Sequence, residues 1–333
     1  MSESLVMLIF PIFIPHEGCP QTCIYCDQYQ ITHVVKPNWD ILKDQIAQFC
    51  RKHQSEYKEI AFYGGSFTCL QEEYQHYLIQ QVTHFIDDRT FLRYSTRPDG
   101  IDHSILTDSY SKGVRTVELG IQDFNEQVLA ASERGYTRQE AIDACLLVKE
   151  SGMKLSVQLM PGLPGYSKET LTQTIADTLT VRPEFIRIYP TIVIQGTPLE
   201  RMYRSDQYQP LSLDDAIQDA ALMAETFEKG GITVIKIGLT GIDDSHVVAG
   251  PFHQAFGELV RAELYMKRII QTYEPGKVLE ISKKDVSLLL GNKKEYLTRM
   301  KKIIKQNNLM VIISDILEKG EFRYVSDTNC ELW

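Results

Sequence analysis

Three cysteines stand within eight residues of one another near the start of the chain. They form the pattern Cys19-x3-Cys23-x2-Cys26, directly after an apolar run that covers residues 8–14. Thiolates this close together on one loop can bind a single soft metal centre, and cysteine sulfur selects zinc or iron–sulfur clusters over hard cations. The spacing therefore predicts a thiolate metal site in this loop.

Two kinds of metal centre compete for such a loop, and the number of ligands separates them. A closed zinc site takes four ligands, usually from two well-separated Cys-x2-Cys pairs, and the sequence holds no second pair of that kind. Three cysteines instead fit a cubane iron–sulfur cluster, which then keeps one iron open for a further ligand. His16 offers a fourth zinc ligand, so a zinc knuckle, or three incidental buried thiols, stays open as an alternative.

The bulk composition is that of an ordinary globular protein. The chain has 333 residues, 43% hydrophobic and 24% charged, which suffices for one large domain with a small appendage. No apolar run of about eighteen residues occurs, so no membrane span is expected, and the stretch 5–14 lacks the basic start of a signal peptide. Seven cysteines, three of them clustered, favour a reducing, cytoplasmic setting over a disulfide framework. The net charge of −9 argues against non-specific nucleic-acid binding over the whole surface.

Apolar stretches alternate with segments of helical periodicity along most of the chain. The predicted strands are 8–14, 59–63, 91–95, 117–121, 154–159 and 184–189, with a further one at 232–237. The predicted helices are 40–53, 71–86, 101–111, 124–132, 138–151, 168–179 and 212–229. Such alternation predicts an α/β fold with a parallel sheet. The first strand is expected to be buried on both faces, and the cysteine loop leaves its carboxyl end, where barrel-like α/β folds gather their chemistry.

Three more strand ends carry groups that suit a bound ligand. Gly64-Gly65-Ser66 follows the second strand, and paired glycines let a backbone approach a ligand closely; a plain tight turn is the alternative. Arg97 follows the third strand, where it can bind a carboxylate in bidentate fashion or pair with Asp99 at the surface. The fourth strand holds Glu118 and Gln122 amid apolar neighbours, and these polar groups need partners if they are buried.

The cysteine pattern, with Tyr25 before its last cysteine, resembles the radical S-adenosylmethionine (SAM) superfamily. The strand-end motifs occur in the order and at the spacing of that family; they lie at residues 64–66, 95–99, 118–122 and 160–165. The resemblance implies a partial (β/α)6 barrel over about residues 8–240, with a 4Fe–4S cluster on Cys19, Cys23 and Cys26. The open iron would chelate SAM, and a reductant such as flavodoxin or ferredoxin would drive cleavage to a 5′-deoxyadenosyl radical that abstracts a substrate hydrogen.

The same resemblance assigns SAM contacts to the strand ends. Tyr25 belongs to the cofactor-binding cysteine motif. The segment Gly64-Gly65-Ser66 corresponds to the motif that binds the methionyl amine, although Ser66 replaces the usual Glu and would act through its carbonyl and hydroxyl groups. Arg97, Glu118 and Gln122 are the candidates for the carboxylate and the ribose of SAM.

Within the superfamily, the motifs look like the branch that includes the catalytic subunit of Elongator. That family modifies the wobble uridine of tRNA, so the resemblance makes tRNA a candidate substrate. Elongator subunits have a longer gap before the second cysteine and a C-terminal acetyltransferase domain, which this sequence does not match. The oxygen-independent coproporphyrinogen oxidases share the cysteine spacing, the glycine pair and a Gly-Leu-Pro-Gly turn. Two alternatives therefore stay open: a non-catalytic iron–sulfur carrier related to those oxidases, and a zinc-stapled nucleic-acid-binding protein.

The pattern changes after about residue 245. This change predicts a core barrel over residues 1–245 and a C-terminal segment with a small α+β module over residues 246–333. The segment 250–260, which holds His253, is hypothesised to line the substrate pocket, a packed connector being the alternative. A basic segment is either an RNA contact or a solvated face; its residues are Lys293, Lys294, Arg299, Lys301, Lys302 and Lys305. The remaining cysteines are interpreted as structural or, for the last, exposed: Cys50, Cys69, Cys145 and Cys330.

Overall fold

A computed structural model describes residues 8–20, 23–239, 241–291, 295–305 and 309–326. These residues form two compact units. The first unit comprises the described residues up to Ala216 together with Thr226–Gln254, and the second comprises Ile217–Glu225 together with those from Ala255 onward. The boundary at residue 245 stays a prediction. No helix within these ranges is long and apolar enough to cross a membrane.

The elements of the described residues are as follows. The strands are β1 (Leu8–Phe13), β2 (Lys58–Tyr63), β3 (Thr90–Thr96), β4 (Val114–Gln122), β5 (Lys154–Leu159), β6 (Phe185–Ile188), β7 (Val193–Ile194), β8 (Thr233–Ile237), β9 (Val247–Ala249), β10 (Val278–Ser282), β11 (Val311–Ser314) and β12 (Phe322–Val325). The helices are α1 (Gln28–Thr32), α2 (Trp39–Lys52), α3 (Glu72–Gln80), α4 (His103–Ser111), α5 (Glu126–Ala131), α6 (Arg138–Glu150), α7 (Lys168–Val181), α8 (Pro198–Arg204), α9 (Leu213–Lys229), α10 (Phe256–Gln271), α11 (Val286–Leu290) and α12 (Glu295–Ile303).

Seven parallel strands form the main sheet of the first unit, in the order β1-β2-β3-β4-β5-β6-β8. A contact across the sheet shows that it is curled. Arg187 on β6 donates a hydrogen bond of 2.5 Å to the hydroxyl of Tyr63 on β2, although three strands separate β6 from β2. Side chains on the concave face therefore meet across an interior. This half-barrel confirms the predicted partial barrel, and β8 completes it as a seventh strand.

The prediction for the first strand was wrong in one respect. Residues Leu8–Phe10 are half-buried and Pro11 is exposed, whereas burial on both faces was expected. The reason is position, because β1 forms an edge of the sheet and pairs with β2 on one side. An edge strand tolerates a proline, which has no N–H to donate to a neighbouring strand.

Local signals explain where two of the helices begin and end. Thr137 caps α6 in a capping box with Glu140. The predicted helix 71–86 is wrong at its end, since α3 stops at Gln80 and a short 3-10 turn follows at Thr83–Phe85. The hydroxyl of Thr83 donates to the Ile79 carbonyl oxygen at 2.9 Å, and such bonds compete with continuation of a helix.

The second unit contains a three-stranded sheet in the order β11-β10-β12. The central strand β10 pairs in parallel with β11 and antiparallel with β12. The apolar core of the second unit includes residues of α10, α11, α12 and β10. Its buried members are Tyr265, Met266, Ile269, Leu279, Ile281, Leu289, Met300 and Leu309. This unit matches the predicted small α+β module.

Candidate functional site

The cysteine loop begins where β1 ends, and backbone hydrogen bonds attach it to the end of β2. The His16 amide donates to the Gly64 carbonyl at 2.8 Å, and the Ser66 amide donates to the Glu17 carbonyl at 2.9 Å. Gly64 adopts φ +89, a left-handed conformation that favours glycine. A side chain at Gly65 has no room, because an added Cβ would lie 2.2 Å from the Glu17 carbonyl oxygen. The glycine pair therefore lets the two strand ends interlock.

The other side of the cysteine loop rests on an apolar cluster. Cys23 and Cys26 pack against buried residues that come partly from β7 and α8; they are Ile24, Tyr25, Val128, Leu163, Val193, Leu199 and Tyr208. The Leu199 amide also donates to the Ile24 carbonyl at 2.8 Å. The fold thus fixes the loop from both sides.

Each of the three thiols has a polar side-chain partner. The pairs are Cys19 Sγ with Ser66 Oγ (3.6 Å), Cys23 Sγ with Arg134 Nη1 (2.7 Å) and Cys26 Sγ with Gln28 Nε2 (3.3 Å). Hydrogen bonds to ligand sulfurs orient them and tune the centre that they hold. Burial, reinforced by the neighbouring Cys23, raises the pKa of the Cys26 thiol to about 12. A cationic metal centre would offset the cost of ionising this buried thiol and hold Cys26 as a thiolate.

His16 does not complete a zinc site in this arrangement. Its Nε2 accepts a hydrogen bond from the Gln28 amide at 2.8 Å, and its ring packs against Tyr29 at a centroid distance of 5.1 Å. Zinc holds cysteine sulfur at about 2.3 Å, so zinc ligands must converge on one point. Within the described ranges, no three His, Cys, Asp or Glu side chains do so. The geometry of His16 therefore gives the zinc alternative no support.

A cavity of about 440 Å³ lies against the cysteine loop, within the usual size range of small-molecule sites. The ten residues predicted for the site all line it; they are Cys19, Cys23, Tyr25, Cys26, Gly64, Gly65, Ser66, Arg97, Glu118 and Gln122. On β1 and β4 the lining residues follow a period of two, because alternate side chains of a strand share one face. On β1, for example, Ile9, Pro11 and Phe13 line the cavity.

Arg97 is buried at the end of β3 and retains one donor without a partner. Its Nε and Nη2 donate to the two oxygens of Asp99 at 2.8 and 2.9 Å, and Nη2 also donates to the Arg134 carbonyl at 2.5 Å. Its Nη1 is buried and has no hydrogen-bond partner among the described residues. A buried donor left without an acceptor is costly, so this guanidinium suits an anionic ligand in the cavity.

Glu118 sits in a buried charge network on the concave face of the sheet. One of its oxygens lies 3.3 Å from Arg93 Nη2 and 3.0 Å from Arg187 Nε, and it accepts a hydrogen bond of 3.1 Å from Ser156. Arg93 also binds Glu59 at 2.8 Å. This carboxylate is already satisfied by protein, as a buried charge requires.

Gln122 ends β4 at the rim of the cavity. Its side-chain oxygen accepts a hydrogen bond of 2.9 Å from Gln158 on β5. Its backbone adopts φ +68, which is uncommon for a residue with a side chain. Such conformations persist where the surrounding structure imposes them, often at binding sites.

Several cavity residues were not predicted from the sequence. Arg187 and Lys236 are opposite each other on β6 and β8, and Gln158 is opposite Arg187 on β5. Burial and the charge of Arg187 lower the pKa of Lys236. These polar side chains stand at inward positions of otherwise apolar strands. The two-residue period of a strand could have identified them from the sequence. Arg134 lies in the loop between α5 and α6. A loop has no regular alternation of apolar and polar residues, so no sequence pattern singles out Arg134.

Other predicted residues lie elsewhere. His253 is not among the residues that line the cavity. Arg299 forms an ion pair of 2.8 Å with the buried Glu263, so its role in the second unit is structural, and Lys293 and Lys294 lie outside the described residues. Cys145 is buried, Cys50 is half-buried and Cys69 is exposed, while Cys330 lies outside the described residues.

Comparison with known families identifies the class of protein. The family model of the radical SAM superfamily matches residues 13–178, and that of the radical SAM C-terminal domain matches residues 183–268. The chain therefore belongs to the radical SAM superfamily of enzymes. This confirms the resemblance that the cysteine pattern and strand-end motifs indicated.

Individual relatives refine the class. The chain is 30% identical to the tRNA uridine(34) acetyltransferase of Methanocaldococcus jannaschii over 188 residues, which is 50% of this chain and 35% of that protein. It is 29% identical to Elongator complex protein 3 of Mus musculus over 188 residues, which is 50% of this chain and 34% of that protein. The structure of archaeal Methanocaldococcus infernus Elp3 with an N-terminal deletion has the same fold, with a TM-score of 0.63 and 24% identity over 79% of this chain and 63% of that chain. The chain spans about a third of the length of these curated relatives.

Proposed function

We propose that this chain binds a 4Fe–4S cluster through Cys19, Cys23 and Cys26 and uses it to cleave SAM reductively, so that a hydrogen atom is abstracted from an RNA substrate. The observation that carries the proposal is the joint placement of three thiols and the buried, partly unsatisfied Arg97 around one cavity. Three cysteine ligands leave a cluster one open iron. An anionic group bound at that iron would lie in a cavity that offers it a guanidinium.

The residues present fit both cofactors that the family implies. Three thiols, each with a polar partner, are the soft donors that an iron–sulfur cluster takes. The unpaired Nη1 of Arg97 fits a carboxylate such as that of SAM. When bound, the cluster supplies one electron to the sulfonium of SAM.

The chain itself holds and orients SAM. The backbone carbonyls of Gly64, Gly65 and Ser66 would accept hydrogen bonds from the methionyl ammonium, and Arg97 would bind the carboxylate. For the ribose hydroxyls the geometry favours Gln122, whose amide is paired with Gln158, over Glu118. Glu118 is occupied by Arg93 and Arg187 and serves instead to keep both cations in place.

RNA is the proposed substrate class. Similarity over 188 residues to proteins named tRNA uridine(34) acetyltransferase supports it. Charge segregation also supports it, since residues 255–333 carry 14 Lys and Arg against 11 Asp and Glu, a net +3, in a chain of net −9. Basic segments of an acidic chain are suited to phosphate contact. Lys301, Lys302 and Lys305 belong to this part of the chain.

Metal analysis of the anaerobically reconstituted chain tests the proposal against its alternatives. We expect about four iron and four sulfide per chain, and a change in the cluster's electron paramagnetic resonance (EPR) spectrum on adding SAM. One zinc per chain without sulfide would establish the zinc-stapled protein instead. A full cluster whose EPR spectrum does not change when SAM is added would indicate the iron–sulfur carrier. The matched variant Cys145→Ala removes a buried thiol outside the loop and should leave the iron content unchanged.

A further inference from the structure

Arg134 is a buried cation held against one of the three cysteines. Its side chain is buried in the loop between α5 and α6. Its Nη1 donates to Cys23 Sγ at 2.7 Å and to the Tyr25 hydroxyl at 3.0 Å. Its Nε donates to the Tyr136 hydroxyl at 2.9 Å, and its Nη2 donates to the Gly120 carbonyl at 2.7 Å. Four donated bonds from three nitrogens leave the guanidinium one position.

Only one of these acceptors, Cys23, can supply a negative charge to Arg134 when it ligates a metal. None of the four is a carboxylate, and the Tyr25 and Tyr136 hydroxyls are uncharged phenols at neutral pH. The Gly120 carbonyl carries no charge. Burying a guanidinium without an anion is costly, and Cys23 is the partner that becomes anionic when it ligates a metal.

The position of Arg134 is enforced by its neighbours. The Tyr136 hydroxyl donates to the Ile121 carbonyl at 2.8 Å, which ties the phenol to the end of β4. The Arg134 guanidinium carbon lies 5.2 Å from the centre of the Tyr136 ring. The Arg134 carbonyl accepts a hydrogen bond from Arg97, so Arg97 and Arg134 are joined through the backbone. Such supporting contacts are what keep a side chain near a metal ligand in place.

We propose that Arg134 sets the reduction potential of the cluster bound at Cys19, Cys23 and Cys26, acting as a positioning residue through the sulfur of Cys23; this inference rests on the proposed function. Reduction adds one electron, taken from an external low-potential donor, to the cluster and its thiolates. A fixed positive charge at hydrogen-bond distance stabilises the more negative, reduced state more than the oxidised state. Arg134 therefore raises the potential and eases reduction.

The test is an EPR-monitored titration of the reconstituted full chain with dithionite, in the absence of SAM. We expect Arg134→Met to lower the equilibrium constant for reduction at least tenfold, which is about 59 mV for one electron. Arg134→Lys keeps the charge and should stay close to the wild type. Arg115→Met removes an equal charge from Arg115, which contacts Tyr110 and does not line the cavity, and should leave the potential unchanged.

Each outcome decides the matter. An unchanged midpoint in Arg134→Met with its iron intact would overturn the inference, as would an equal shift in Arg115→Met. Arg134→Gln keeps hydrogen-bond donors without charge, so a wild-type potential there would also overturn it. If neither neutral variant retained four irons while both stayed folded by circular dichroism, Arg134 would serve assembly and the inference would fail. A wild type without a cluster would instead defeat the proposed function.

Discussion

Glu118 is the buried carboxylate that pairs with two guanidinium groups in the barrel interior. It is 2% exposed and faces the guanidinium groups of Arg93 and Arg187. We expect Glu118→Gln to lower the free energy of unfolding by about 3–5 kcal/mol, because it removes the carboxylate beside the buried Arg187 and leaves Arg93 paired with Glu59 alone. Chemical denaturation monitored by circular dichroism measures the loss. Asp108→Asn, which breaks an exposed helical pair with Lys112, should cost less than about 1 kcal/mol; equal losses in both would refute the buried network.

Asp123 gives the fold a pH dependence of definite sign. Burial, with added repulsion from Asp177, raises its pKa from 3.8 to about 6, although hydrogen bonds from Thr174 and Asn125 oppose the rise. Since the folded state has the higher pKa, the contribution of Asp123 to stability is full below about pH 4 and falls as the pH rises to about 6. The loss amounts to about 3 kcal/mol.

The variant Asp123→Asn isolates this effect. The difference in unfolding free energy between wild type and variant should fall by about 3 kcal/mol from pH 4 to pH 7. Urea titrations at several pH values measure it. A difference that stays constant over this range would show that Asp123 titrates normally in the folded protein.

At the scale of residues, the sequence predicted the side chains that follow strands better than those in loops. Arg97, Glu118 and Gln122 were found because polar groups at the end of an apolar strand need partners. Arg187 follows the same logic, standing between Ile186 and Ile188 on an inward position. Arg134 was not predictable, because its contact with Cys23 joins residues 111 positions apart through a loop without periodicity.

Among the elements, the junction between the cysteine loop and the end of β2 fixes the loop that carries the three thiols. An added Cβ at Gly65 would lie 2.2 Å from the Glu17 carbonyl oxygen and 2.8 Å from that of Ile14. Both atoms belong to the backbone, so the loop itself must move. We expect Gly65→Ala to reduce the iron bound per chain after reconstitution, as measured by iron and sulfide assays.

A matched glycine serves as the control for this variant. Gly152 ends the turn after α6 at φ +79, and nothing lies within 4 Å of an added Cβ. Gly152→Ala should therefore cost roughly 1–2 kcal/mol of backbone strain and leave the iron content unchanged. Wild-type iron content in Gly65→Ala would contradict the interlocking role of the glycine pair.

The elements themselves were largely predictable where they are long enough to show a period. β5 has the bounds that the sequence predicted. β7 was missed because its two residues show no alternation. α8 was missed although Thr197 caps it and Pro198 occupies its first turn, a start signal that could have found it. β7 and α8 both support the cysteine loop, so the sequence located the site without explaining what holds it.

For the whole molecule, the alternation of strands and helices predicted the fold class, and the cysteine loop indicated the chemistry. The curl of the sheet was implied only by the family resemblance, because it depends on contacts across the interior such as Arg187 with Tyr63. The substrate is the least predictable part. The proposed SAM contacts lie at strand ends, whereas substrate specificity depends on surfaces that no motif in this chain marks.

The proposed reaction, cleavage of SAM by a cluster held on three cysteines, is tested by its product. The most direct test is anaerobic: the reconstituted protein is reduced with dithionite, SAM is added, and 5′-deoxyadenosine is quantified beside Cys23→Ala. The wild type should form 5′-deoxyadenosine and Cys23→Ala should form none, because two thiolates do not hold the cluster in place. A wild type that contains a full cluster yet forms no 5′-deoxyadenosine, or a Cys23→Ala variant that forms as much, would contradict the account.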